Sequence, residues 1–219
     1  MKRPAGFPLV VAAPSGTGKT TVCRALVARD PGLVFSVSHT TRARRPNEQD
    51  GRDYHFVSQA EFRRMIEAGE FLEWAVYNDH HYGTSFAAIE APLAEGRVVV
   101  LEIEVQGARQ VRARRADARL IFLLPPSLEA LEARLRGRGT DGPDEIARRL
   151  RVAKGELAAA GDFDYAVVND DLETCVRELA AIVAAERRGE GAALRARLAP
   201  KAVLARVAGA SFARAGPNG

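Results

Sequence analysis

Cysteine is nearly missing from this chain: Cys23 and Cys175 are the two among 219 residues. Two thiols so far apart exclude a disulfide scaffold, and both read as small buried residues in a reducing cytoplasm. Histidine is equally thin. His39, His55, His80 and His81 lack metal-ligand spacing, so each reads as structural and no metal cluster is expected. No apolar run is long enough to span a membrane, so no membrane partner is expected. The Phe7–Ala13 run behind Met1-Lys2-Arg3 resembles a secretion signal, but it is short, carries Pro8 and flows into a glycine loop. Acidic residues are absent from Gly191 onward, where Arg195, Arg197, Lys201, Arg206 and Arg214 fall. Those five account for the basic balance. They leave 27 of the 32 basic residues against 28 acidic ones in the body, so the net +4 gives no reason to expect a nucleic-acid partner.

What is present suits one α/β domain with insertions, and 47% hydrophobic residues suffice for its core. Leu9–Ala12, Leu33–Ser38, Arg97–Ile103, Arg119–Leu124 and Tyr165–Asn169 read as buried strands. Phe71–Tyr77 and His81–Thr84 read as two shorter ones. Helical patterns fall between them, over Thr20–Arg29, Ser58–Glu67, Ser85–Glu95, Gly107–Arg115, Ser127–Leu135, 144–160 and Leu172–Arg188. Ser127 reads as a helix cap and Gly69 as a helix stop. Strands alternating with helices imply a parallel sheet covered on both faces. The Ala/Arg/Gly-rich segment 191–219 reads as a flexible, solvated tail.

The first chemical motif is Ala13-Pro14-Ser15-Gly16-Thr17-Gly18-Lys19-Thr20. It follows a buried strand and opens a helix, the context that makes a phosphate-binding loop credible. Small residues let backbone N–H groups curl around phosphate oxygens, and the helix N-terminus adds its positive end. Lys19 can reach the outer phosphates and Thr20 can hold Mg²⁺. Ala13 stands where such loops usually begin with glycine.

The second motif, Ser36-Val37-Ser38-His39-Thr40-Thr41-Arg42-Ala43-Arg44-Arg45, is also suited to phosphate. Ser38, Arg42, Arg45 and Tyr54 together could wrap a terminal monophosphate, since forked guanidinium groups match its oxygens. A solvated basic loop is the plain alternative. Downstream, Glu73 in Phe71-Leu72-Glu73-Trp74-Ala75 could accept both donors of a guanine Watson–Crick edge, a pair adenine lacks. Glu104 is a second such acceptor.

These motifs resemble those of the guanylate kinases from about Pro8 to Arg188. The likeness continues through Y-G-T at Tyr82, L-E-I-E-V-Q-G-A at Leu101, P-P-S at Pro125 and V-V-N-D-D at Val167. The resemblance implies a P-loop NTPase-type three-layer fold with a five-stranded parallel sheet. It also implies transfer of the γ-phosphoryl of MgATP to GMP, and to dGMP, within purine nucleotide metabolism. Core segments would be 1–39, 96–133 and 161–190. Residues 40–95 would be a GMP-binding insertion, 134–160 a lid with its flanking helix, and 191–219 the basic tail. By motif, Ser38, Arg42, Arg45, Tyr54 and Tyr82 would bind the GMP phosphate, while Glu73, Thr84 and Glu104 would read guanine. Arg134, Arg138 and Arg149 would meet the ATP phosphates, with Asn169 near the adenine. Ala13, Asn47, and Glu102 and Glu104, which stand where many members have Asp, depart from the family pattern. Another nucleoside monophosphate kinase or a sugar-phosphate kinase would need no guanine-reading Glu73. A related interaction module could dispense with Lys19, Thr20 and the lid arginines, all of which this chain retains. Oligomeric state stays open at this stage.

Overall fold

Five apolar segments of this chain stack into one parallel sheet in a computed structural model that describes residues 6–77, 79–137 and 142–214. The strands are β1 (Pro8–Ala12), β2 (Leu33–Phe35), β7 (Val98–Glu102), β8 (Arg119–Leu124) and β9 (Tyr165–Val168), in the order β2-β7-β1-β8-β9. β1 is central and buried along its whole length, as expected for a parallel strand covered on both faces. Pairing is in register from Leu33 with Val98 and from Ile121 with Tyr165. The second sheet is small: β3 (His39–Thr40), β4 (His55–Phe56), β5 (Phe71–Tyr77) and β6 (His80–Ser85), ordered β4-β3-β6-β5. Its strands mix parallel β3/β4 with antiparallel β3/β6 and β5/β6 pairing.

The helices are α1 (Lys19–Arg29), α2 (Gln59–Glu67), α3 (Ala87–Ala94), α4 (Val105–Arg114), α5 (Leu128–Arg136), α6 (Pro143–Ala158), α7 (Leu172–Arg187), α8 (Gly191–Arg197) and α9 (Pro200–Arg214). Local chemistry sets several of their ends. Ser58 caps α2 through the Glu61 N–H at 3.1 Å, and Ser127 caps α5 through the Ala130 N–H at 3.1 Å. Pro143 opens α6, where its missing N–H costs nothing. None of the described helices is long and apolar enough to cross a membrane.

The chain divides into two compact units along a line that differs from the sequence-derived boundaries. One comprises Met1–Val10 with Asp30–Arg119, the other Val11–Arg29 with Leu120–Gly219. The first therefore joins the 40–95 insertion to β2, β7 and α4. The second holds the glycine loop, α5 to α9 and β9. Within it α1 packs on α7, burying both Cys23 and Cys175 as free thiols. Burial pushes the Cys175 thiol up to about 12, so it stays protonated and inert.

The segment after Gly191, expected to be flexible, is helical as α8 and α9. The Leu198 carbonyl accepts the Ala166 N–H at 2.8 Å, which covers part of the outer strand β9. Leu198 and Val203 are buried. Arg195 pairs with the nearly inaccessible Glu186 carboxylate at 2.7 Å, and the Tyr165 hydroxyl donates to the same group. An Ala-rich, basic composition hid these contacts, because each one depends on partners outside the tail.

Candidate active site

In the second unit β1 delivers the chain into the glycine loop. Gly16 and Gly18 both take positive φ, 95° and 94°, which explains glycine at these two places. Space is a second reason. A Cβ on Gly18 would lie 2.8 Å from the Asn169 amide, and one on Gly16 would lie 2.8 Å from Leu135. The backbone turns tightly, with the Thr17 N–H on the Pro14 carbonyl at 3.1 Å, and α1 begins at Lys19. Ala13 is buried and needs no positive φ, so the missing first glycine leaves the loop geometry intact.

Three expected site residues converge on this loop. Asn169 donates its amide to the Thr17 carbonyl at 2.7 Å, so its side chain braces the loop from beneath. Arg134, on α5, reaches the same carbonyl at 3.3 Å and the Asn169 carbonyl at 2.8 Å. Arg149, on α6, donates to the Ser15 hydroxyl. Leu131, Leu135, Ile146 and Ala153 pack α5 against α6 and so set where the two guanidinium groups stand. Arg138 lies outside the described residues. Thr20 is exposed in the first turn of α1.

The first unit holds the other expected residues. Arg42 donates to Glu48 at 2.7 Å, and its guanidinium lies 5.5 Å from the centre of the Tyr54 ring. The Arg45 N–H takes the second Glu48 oxygen at 2.9 Å. The Arg42 guanidinium, helped by that N–H, holds the Glu48 carboxyl below the usual carboxylate range. Sequence reasoning missed Glu48, which presents Arg42 in one orientation; its single signal was an acid within a basic stretch. Tyr54 and Tyr82 face each other edge-on with ring centres 6.0 Å apart. Burial, with the Glu102 charge next, raises the Tyr54 phenol, so it remains a donor.

Ser38 and Thr84 share a hydrogen bond at 3.1 Å. The Thr84 N–H donates to a Glu73 carboxylate oxygen at 2.9 Å. Glu73 is buried, unusual for an acid, and it sits beside a β-bulge between Phe71 and Glu73 that re-aims the strand. Glu104, in contrast, is exposed at the N-terminus of α4, and Glu102 is half-buried at the end of β7.

His39, adjacent to Ser38, lies tilted against His55 with ring centres 4.7 Å apart and meets Phe71 edge-on at 5.7 Å. Its Nδ1 is buried without a partner among the described residues. Burial, and then the charge of His55, lower its pKa below the ordinary 6.5, against the opposing pull of Glu70, Glu61 and Asp50. The unfolded chain therefore takes up this proton first, and the stability conferred by neutral His39 is lost as pH falls below 6.5. Unfolding midpoints measured from about pH 7.5 to about pH 5 should decline less steeply in His39→Gln than in the parent. Equal slopes would refute this role.

A parallel sheet whose central strand runs into a glycine loop and helix defines a P-loop nucleotide-binding protein. The guanylate kinase family model matches residues 5–186. Guanylate kinase of Aromatoleum aromaticum is 52% identical over 182 residues, which are 83% of this chain and 89% of that protein. That of Symbiobacterium thermophilum is 47% identical over 205 residues, 92% and 97% of the two chains. The crystal structure of guanylate kinase from Anaplasma phagocytophilum superposes with a TM-score of 0.70 at 33% identity, covering 85% of this chain and 89% of that one. The chain belongs to the guanylate kinase family, whose reaction phosphorylates GMP with ATP.

Proposed function

We propose that the two units divide the work of that reaction, the glycine-loop unit holding ATP and the Glu73 unit selecting GMP. The observation that carries the second half is Glu73: a buried acid held by the Thr84 N–H, in the same unit as Arg42, Arg45, Tyr54 and Tyr82. A carboxylate accepts both donors of the guanine edge, while the cationic and hydroxyl groups suit a monophosphate. Thr84 and Glu104 are the further candidate contacts to guanine, and Ser38 to the phosphate. Lys19 and the backbone of Ala13 to Thr20 receive the ATP phosphates, and Asn169 serves ATP by bracing the loop.

The GMP phosphate is already an anionic nucleophile, so no strong general base is required. The difficulty is to bring two anions together in line. Lys19, Arg42, Arg45, Arg134 and Arg149 offset that repulsion, and Arg138 is assigned the same role by its motif. Among the described residues no group of three or more His, Cys, Asp or Glu can hold a metal, whereas Thr20 offers a hydroxyl oxygen at the loop. That donor fits a Mg²⁺ that would enter with ATP. Bound there, the ion would neutralise phosphate charge. Two buried free thiols suit the reducing cytoplasm.

A coupled assay of ADP formation with GMP, dGMP, AMP, UMP and ribose bisphosphate tests the assignment. GMP and dGMP should turn over, with AMP and UMP at least about a hundredfold poorer in kcat/KM. Comparable turnover of AMP would overturn it.

A further inference from the structure

We propose that Gln110 is a positioning residue for guanine selection: its carboxamide grips both backbone groups of Trp74 and thereby fixes the neighbouring Glu73 carboxylate. The inference rests on the reading that Glu73 selects guanine.

β5 ends the order of its sheet, so among the described residues no strand pairs with its outer side. Gln110 takes that place. Its Oε1 accepts the Trp74 N–H at 3.2 Å and its Nε2 donates to the Trp74 carbonyl at 2.7 Å. This is the two-way exchange a neighbouring strand would make, supplied by one side chain of α4. Two more residues on the same face of α4 complete the clamp. One turn earlier is Gly107, where a Cβ would lie 2.5 Å from the Glu73 Oε2 and 3.2 Å from its Cδ. One turn later is Arg114, which donates to the Phe71 and Leu72 carbonyls at 2.7 Å each, at the bulge. The helix backbone therefore approaches the carboxylate from one side, the Thr84 N–H holds its other oxygen, and Gln110 locks the peptide directly after it. Freed of Gln110, the Trp74 peptide can shift along α4 and take Glu73 with it. A shift of about half an ångström is enough to spoil a paired hydrogen-bond readout.

Gln110 reaches Glu73 only through the backbone, so its loss should affect base discrimination more than turnover. Trp74 is the sole tryptophan, directly after Glu73, so its emission is the probe chosen for GMP binding. The test compares the parent with Gln110→Met, which keeps the length but cannot bond, with Gln110→Glu, which keeps the acceptor but sets a carboxylate oxygen against the Trp74 carbonyl, and with Glu73→Gln. Each is measured for unfolding midpoint, Kd of GMP by Trp74 emission, kcat, KM for ATP, and the kcat/KM ratio of GMP to IMP, which lacks the 2-amino group. In Gln110→Met, KM for GMP should rise about tenfold and the GMP-to-IMP ratio fall about tenfold, with kcat and KM for ATP within about twofold. Gln110→Glu, which turns the bond to the Trp74 carbonyl into a repulsion, should lower the ratio at least as much. Added to Glu73→Gln, Gln110→Met should lower the ratio no further. A parent-like ratio in the folded Gln110 variants, beside a collapsed ratio in Glu73→Gln, sinks the proposal and leaves the Glu73 reading standing. An equal loss for every nucleotide, following the unfolding midpoint, reduces Gln110 to a structural residue and also sinks it. An unchanged ratio in Glu73→Gln removes the Glu73 reading, and the Gln110 role with it. Should Gln110→Met not fold, Gln110→Glu alone decides by the same ratio.

Discussion

Lys19→Ala is expected to lower kcat about a thousandfold, roughly 4 kcal/mol of transition-state stabilisation, while the Kd of GMP changes less than about twofold. The lysine opens α1 directly after Gly18, whose positive φ turns the chain into the helix. A cation carried there moves with the loop and adds to the dipole of the first turn. In phosphoryl transfer the charge spreads over the γ-phosphoryl oxygens, where a fixed ammonium acts most strongly. The residues assigned to GMP belong to the other unit. Affinity for GMP, titrated without ATP, therefore separates the two roles. Comparable losses in GMP affinity and in kcat would remove Lys19 from the ATP phosphates.

Glu73→Gln should lower kcat/KM for GMP about a hundredfold, near 2.7 kcal/mol, and narrow the GMP-to-AMP preference by a similar factor. The environment dictates which way the new amide turns. The Thr84 N–H requires an acceptor, so the amide oxygen takes that side. The amide nitrogen is left in place of the second carboxylate oxygen, facing the guanine donors with another donor. One contact is lost and one becomes repulsive. Adenine presents no such donor pair, so its poor turnover should hold or improve. Steady-state kinetics with GMP and AMP decide the matter. An unchanged preference would show that another group reads the base.

The loop was legible because everything it needs is local. A β-branched run, two glycines that must turn, a lysine and the start of a helix lie within a dozen positions, so spacing alone specified their arrangement. The sheet was nearly as legible, since five buried strands alternate with helices. The helical pattern before β7 forms α3 with Pro92 inside its last turn, over a buried Ile89. The clamp on Glu73 was not legible, because Gly107, Gln110 and Arg114 lie far along the chain from β5. Nothing in L-E-I-E-V-Q-G-A announces what a helix face will touch. Glu48 was hidden differently: its value lies in a contact with Arg42 that the loop has first to fold back to make.

Two segments suited to phosphate and an acid suited to a guanine edge could be picked out from residue types and spacing, and with them the class of reaction. Tertiary structure decided how each is held: Asn169 bracing the loop from beneath, Arg134 and Arg149 resting on it, Glu73 walled by the bare backbone of Gly107. It also turned the basic tail into two helices, α8 packed on α7 and α9 on β9. Chemistry is carried by side-chain identity, which is written in the sequence. Orientation depends on backbone and side-chain contacts between distant segments, and these exist only once the chain has folded.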